Sequence, residues 1–225
     1  MTKNKQPKNA NSVFVHALEF NNVNKIVDLH IEVFPDYFLT HLGRGILLLF
    51  YSHFVNNRNN IAVLAEVSGS PVGFVSGVLK PSEFYREFYK RHFFTIAVTV
   101  FVRMFLSNVV RAGVCERVGQ IIPAFISRFG VSNRESSDAR ESDISFGINA
   151  RLLSIGLVGD FRGTGIAEKM VSCFCNLAAS KGADTVGLTV FLSNLSAIRF
   201  YEKNGWQKES TNATEVAYRR SVSVE

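Results

Sequence analysis

The stretch that most restricts this chain is "LLSIGLV" (152–158), which passes through "GDFRGTG" into "IAEKMVSCFCNLAASKG" (166–182). It reads as a buried strand, a turn holding Gly163 and Gly165, and a helix that starts at once. A second apolar strand, "DTVGLTVFLSN" (184–194), succeeds it. The short helix "SNLSAIRFYEKNG" (193–205) comes next, with Ser193 or Asn194 as its N-cap and Gly205 as its stop. "WQKES" and "EVAYRRSVSV" can close with a last strand pair. Strands alternating with helices in this way build an α/β fold with a mixed sheet flanked by helices.

The first half fits the same sheet. "SVFVHALEF" (12–20) alternates as a strand, "NVNKIVDLHIEVF" (22–34) has helical spacing, and "LTHLGRGILLLFYSHFV" (39–55) reads as a second helix after a turn at Pro35. "IAVLAEVSG" and "PVGFVSGVLK" form a hairpin across "SGSP" (68–71). Residues 83–129 are long, apolar and studded with Arg and Lys, and read as two or three helices. The polar run 131–143 is an exposed loop and the best candidate hinge. Together, 83–143 make a helical insertion after the third strand. Residues 1–11 read as a disordered tail, 12–225 as a single domain, and there is no internal repeat.

At 225 residues, one domain with a sizeable core is the expectation. The chain is 47% hydrophobic with 20 Phe, so some apolar surface is expected to face a membrane or a partner. Its net charge of +6 suits acidic ligands such as nucleotides or phospholipid headgroups. Nucleic acid is not an expected partner, because the basic residues lie among apolar ones with no helix-turn-helix or zinc pattern. Cys115, Cys173 and Cys175 are odd in number and lack metal spacing, so buried reduced thiols, a cytoplasmic location and no metal are expected. The polar N-terminus "MTKNKQPKNANS" is not followed by the apolar region of a secretion signal. The longest apolar run, "FFTIAVTVFV" (93–102), is ended by Arg103, well short of the ~18 to 20 residues that span a bilayer.

A helix that begins directly after Gly163, Thr164 and Gly165 aims unpaired N–H groups and the positive end of its dipole at whatever sits in the turn. Glycine admits close approach and Arg162 adds charge, which together make a phosphate site. Two nucleotide motifs do not fit. A dinucleotide fingerprint needs a small residue where Glu168 stands, and G-x-x-x-x-G-K-[ST] occurs nowhere.

The turn and the residues downstream of it resemble the GCN5-related N-acetyltransferase (GNAT) family. The first family motif is matched by Arg162, Gly165 and Ala167, and the second by Asn194 followed by "AIRFYEKNGW" (197–206). The match is good over 150–206 and weaker over 12–80. The resemblance implies a GNAT fold that binds acetyl-coenzyme A, with the pyrophosphate on the N–H groups of Arg162, Gly163, Thr164, Gly165, Ile166 and Ala167. It implies that the preceding strand bulges and splays so that Ile155 and Leu157 meet the pantetheine, with Gly156 fitting the bulge. Asn194 is either near the cofactor's arm or only a helix cap.

The same resemblance implies transfer of the acetyl group to a primary amine. Such a transfer needs a neutral amine, oxyanion donors and a proton for the leaving thiolate. Tyr201 stands where the family's acid stands, and backbone N–H groups around Leu157 are the expected oxyanion donors. Many relatives carry a Glu where this chain has Asn149 and Arg151, so Glu141, Asp143, His30 and His41 are candidate bases by elimination. Arg151 reads either as a solvated strand-end charge or as a contact for an acidic group of the acceptor. The connection "VFPDYFLTHLGRG" (33–45) maps to the acceptor side. The pattern around it is similar to GNAT enzymes encoded with bacterial surface-polysaccharide genes, which implies an amino sugar ahead of a protein N-terminus. A catalytically silent acyl-CoA-binding module is the rival from another class. For 83–129 the readings are a lid packed over the acceptor site and a peripheral contact with the inner face of the membrane.

Overall fold

The computed structural model describes residues 13–106, 110–111 and 148–223. The 1–11 tail, Cys115, Glu141, Asp143, the 131–143 loop and the end of the 83–129 insertion lie outside them.

The hairpin strands β1 to β3 set the layers. β1 is Val13–Ala17, β2 is Asn60–Val67 and β3 is Ser70–Val78, and β2 and β3 are buried at nearly every position. Strands so apolar must be covered on both faces. One face is covered by α1 (Val23–Val33) and α3 (Arg44–Asn56), which pack Ile26, Val27, Leu47 and Tyr51 on Leu64, Phe74 and Val78. The other face is covered by α5 (Ile166–Ser180), whose Met170, Phe174 and Ala178 pack with Val63, Val75 and Leu152. Ser68 and Gly69 join β2 to β3 with φ of 51° and 76°, the two positive values that a two-residue primed turn needs.

The stretch 39–55 is not one helix. It divides into a single turn, α2 (Phe38–His41), and α3, with Gly43 between them at φ 97°, outside the helical region. Of the stretch 83–129, where two or three helices are expected, the described residues show α4 (Pro81–Leu106), one continuous helix opened by Pro81 at its first position, and most of the remainder lies outside them. Phe84 and Phe88 are buried against Phe54 and Phe50, and farther along Ile96 and Val100 pack beside Leu42 and Ile46. The opposite side of α4 is open: Phe94, Val98, Phe101 and Phe105 are 62% to 82% exposed. Among the described residues, no helix is long and apolar enough to cross a membrane.

The second half supplies β4 (Ile148–Leu157), β5 (Ala183–Phe191), α6 (Leu195–Lys203), β6 (Gln207–Thr211) and β7 (Glu215–Ser221). The strand order is β1-β2-β3-β4-β5-β7-β6, with β4 and β5 parallel and every other pair antiparallel. This is the mixed sheet the alternation of elements requires.

Candidate active site

Three features converge where β4 ends. The first is its pairing. β4 runs beside β5 from Ile148 opposite Ala183 to Arg151 opposite Gly187, and no pair comes after. Beyond Arg151 the two strands part, so the backbone of 152–157 on that side has no strand partner among the described residues.

The second is a bulge. Ser76 pairs with Ser154 and Gly77 with Leu152, which leaves Leu153 as the extra residue. The side-chain alternation reverses across it. Ala150 and Leu152 pack on the α5 side before the bulge, and Ile155 and Leu157 do so after it, while Leu153 packs with the α1 and α3 cluster. The bulge is therefore at Leu153 and not at Gly156, where the sequence alone would put it. Gly156 serves close approach instead: a Cβ there would lie 2.6 Å from the Phe74 ring and 3.2 Å from the Phe34 ring.

The third is the turn. Gly163 and Gly165 have φ of 76° and 82°, and a Cβ at either would meet nothing within 4 Å, so their backbones face open space. Gly165 is the residue at which α5 starts. Arg162 and Thr164 are exposed, and the Thr164 hydroxyl donates to the Phe161 carbonyl at 2.6 Å, which holds the turn closed. Ile166 is buried beneath the turn and Ala167 half-buried. The first-turn amides of α5 have no carbonyl within the helix to receive them.

Tyr201 lies deeper than the turn residues. It is 3% exposed, with Trp206, Phe200 and Tyr218 rings at 5.3, 5.2 and 6.2 Å. Burial, with Cys175 nearby, pushes its phenol well above the usual tyrosine range, so it stays protonated. Asn194 caps α6: its Oδ1 accepts the Ala197 N–H at 3.1 Å. Between the alternatives Ser193 and Asn194, the cap is thus Asn194. Cys175 is buried with its thiol pushed up to about 11, and Cys173 is half-buried. Among the described residues, no group of His, Cys, Asp and Glu is arranged to hold a metal ion.

Contacts that the sequence does not reveal lie on the opposite face of the sheet. The Thr185 hydroxyl donates to Asn149 Oδ1, and the Arg151 guanidinium donates to the Thr189 hydroxyl, so both β4 side chains reach across to β5 where the strands begin to part. His30 is 4% exposed and hydrogen-bonded through Nδ1 to the Tyr51 hydroxyl at 2.8 Å, with the Phe34 and Phe74 rings against it. Burial lowers its pKa to about 4, so it is neutral at pH 7. His41 has a buried Nε2 with no hydrogen-bond partner among the described residues.

The acetyltransferase (GNAT) family model matches residues 136–206, the stretch that contains β4, the turn, α5, β5 and α6. Over this stretch the chain is similar to the GNAT acetyltransferases. Solved structures agree on the fold of the whole sheet. The PaiA N-acetyltransferase of Thermoplasma acidophilum, solved with coenzyme A, has a TM-score of 0.56 at 12% identity, covering 93% of this chain and 99% of that one. NAA60 of Arabidopsis thaliana, solved with acetyl-CoA, has a TM-score of 0.54 at 15% identity, covering 93% and 98%. The ribosomal-protein alanine N-acetyltransferase of Escherichia coli has a TM-score of 0.52 at 11% identity, covering 94% and 95%. A comparison with curated proteins gives no match. The parted strands and the open turn fit acetyl-CoA: the β4 edge has hydrogen-bonding groups for an amide-bearing arm, and the turn has N–H groups for phosphate.

Proposed function

We propose that the chain transfers the acetyl group of acetyl-CoA to the primary amine of a small molecule, with an amino sugar ahead of a protein N-terminus. The observation that carries the reading is the parting of β4 from β5 after Arg151, directly upstream of the Gly163 to Gly165 turn. In this reading Arg162 to Ala167 hold the pyrophosphate and the β4 edge at Ile155 and Leu157 holds the pantetheine. Asn194, the N-cap of α6, is assigned to the cofactor's arm in this reading. The bound thioester supplies an activated acetyl carbonyl. Backbone N–H groups near Leu157 stabilise the oxyanion, and Tyr201 protonates the leaving thiolate. With Asn149 and Arg151 replacing a carboxylate on β4, the amine loses its proton to water rather than to a side chain of that strand.

Thiol release from acetyl-CoA, measured against a panel of amino sugars, polyamines and short peptides, tests this. Turnover with an amino sugar is the expected result. Tight acetyl-CoA binding without turnover on any amine would instead identify an acyl-CoA-binding module, and turnover confined to peptides would identify a protein N-terminal acetyltransferase.

The exposed side of α4 favours a second, compatible role: peripheral contact with the inner face of the cytoplasmic membrane. Phe94, Val98, Phe101 and Phe105 recur at helical spacing on one side, and the exposed cations Lys90 and Arg91 precede them. Apolar side chains suited to the acyl boundary thus adjoin charges suited to anionic headgroups.

A further inference from the structure

Arg151 stands at the last point where β4 and β5 pair, opposite Gly187 on one side and Val78 on the other. Residues directly opposite in an antiparallel pair point to the same face, and Val78 packs with the α1 and α3 cluster. Arg151 therefore emerges on the face away from α5. There it is exposed at the parting point itself, whereas the α5 side is filled by Leu152, Leu157, Met170 and Tyr201.

Its surroundings hold the charge without cancelling it. The guanidinium donates to the Thr189 hydroxyl, a neutral acceptor that fixes its direction across the mouth of the cleft. Arg151 is exposed, and among the described residues no carboxylate pairs with it. Among the described residues, only the bond to Thr189 occupies its five N–H donors. A fixed, exposed cation at the parting point suits an acceptor that carries an anionic group.

We infer that Arg151, aimed by Thr189, binds an anionic substituent on the acceptor, so that the preferred substrate is an amino sugar bearing a phosphate or a carboxylate. This rests on the acetyl-transfer reading above.

The test compares glucosamine, glucosamine phosphate and the corresponding uronic acid as acceptors for the wild type, Arg151→Gln and Arg151→Lys. For the wild type, kcat/KM is expected to favour an anionic acceptor over glucosamine. The Gln variant should reduce that ratio by about 10- to 100-fold, chiefly through KM, with partial recovery in the Lys variant. The phosphate and uronic acid arms tell which anion is read. Acetyl-CoA binding by calorimetry, expected to be retained in both variants, shows that they fold. A wild type without preference for either anion, or a Gln variant that loses activity equally on all three acceptors, overturns the inference and leaves acetyl transfer standing. Calorimetry with glucosamine phosphate needs no turnover: binding lost in the Gln variant supports the inference, and no binding by the wild type overturns it. Failure of the wild type to bind acetyl-CoA overturns the parent reading.

Discussion

His30 Nδ1 and the Tyr51 hydroxyl share a hydrogen bond of 2.8 Å between α1 and α3, sealed from water by the Phe34 and Phe74 rings. The pair sits one ring behind Gly156 of β4, so the packing that shapes the cleft floor depends on it. Burial holds the folded imidazole at about 4, against 6.5 when exposed. Between those values the unfolded chain binds more protons, so this contribution is complete above about pH 6.5 and is lost as the pH falls toward 4. The loss amounts to about 3 kcal/mol. Between pH 7 and pH 5 about 2 kcal/mol of this is lost, and denaturant midpoints should differ to match, while Phe in place of Tyr51 should lower stability at pH 7 by about 1 to 3 kcal/mol by leaving a buried nitrogen unpaired. A midpoint that does not move between the two pH values would show that His30 is not kept neutral by the fold.

The turn makes a prediction about ligand affinity. Gly165→Glu places a negative charge at the start of α5, at the proposed pyrophosphate position, and acetyl-CoA affinity should collapse. Because φ at Gly165 is 82°, any side chain there costs about 1 to 2 kcal/mol of backbone strain. Gly165→Ala carries that strain without the charge and serves as the control. Calorimetry should find binding weakened in the Ala variant and absent in the Glu variant. Equal, near wild-type affinity in both would remove the turn from the cofactor site.

The 152–206 half was legible in the sequence because its signals are local. Strand, turn, helix and cap are each set by neighbouring residues: two glycines at positive φ, an apolar stripe, Asn194 ahead of α6. The site on the other face was not legible, because it is assembled across strands. Thr189 finds Arg151, and Thr185 finds Asn149, only once β4 and β5 lie parallel, and no spacing along the chain encodes that. The bulge was misplaced for a related reason. Gly156 looks like a kink by composition, yet its missing side chain makes room for Phe74, and the extra residue is Leu153, which nothing in its type distinguishes.

The open side of α4 predicts association with lipid. Vesicles containing anionic phospholipid should carry the protein upward on flotation, more weakly at high salt because Lys90 and Arg91 contribute through charge. Replacing Phe94, Phe101 and Phe105 together by Ser should abolish flotation without loss of fold, since all three are largely exposed. If the wild type stays with the soluble fraction at low salt and remains monodisperse, the stripe does not meet lipid.

Tyr201→Phe separates chemistry from packing. The substitution keeps the ring between Trp206 and Tyr218, so the α6 packing and acetyl-CoA binding should persist. Only the hydroxyl is lost, and with it the proton offered to the thiolate as it departs. General acid catalysis of this kind is worth about 10²- to 10⁴-fold. Since the interaction belongs to the transition state, kcat and kcat/KM should fall together with KM nearly constant. The buried phenol is protonated throughout the physiological range, so the wild-type profile should show no loss of activity from its ionisation as the pH rises through 10, the range in which an exposed tyrosine would titrate. A variant that turns over within about twofold of wild type would make Tyr201 a packing residue of the Cys175, Trp206 and Tyr218 cluster, and the thiolate would then be protonated by water in the open cleft.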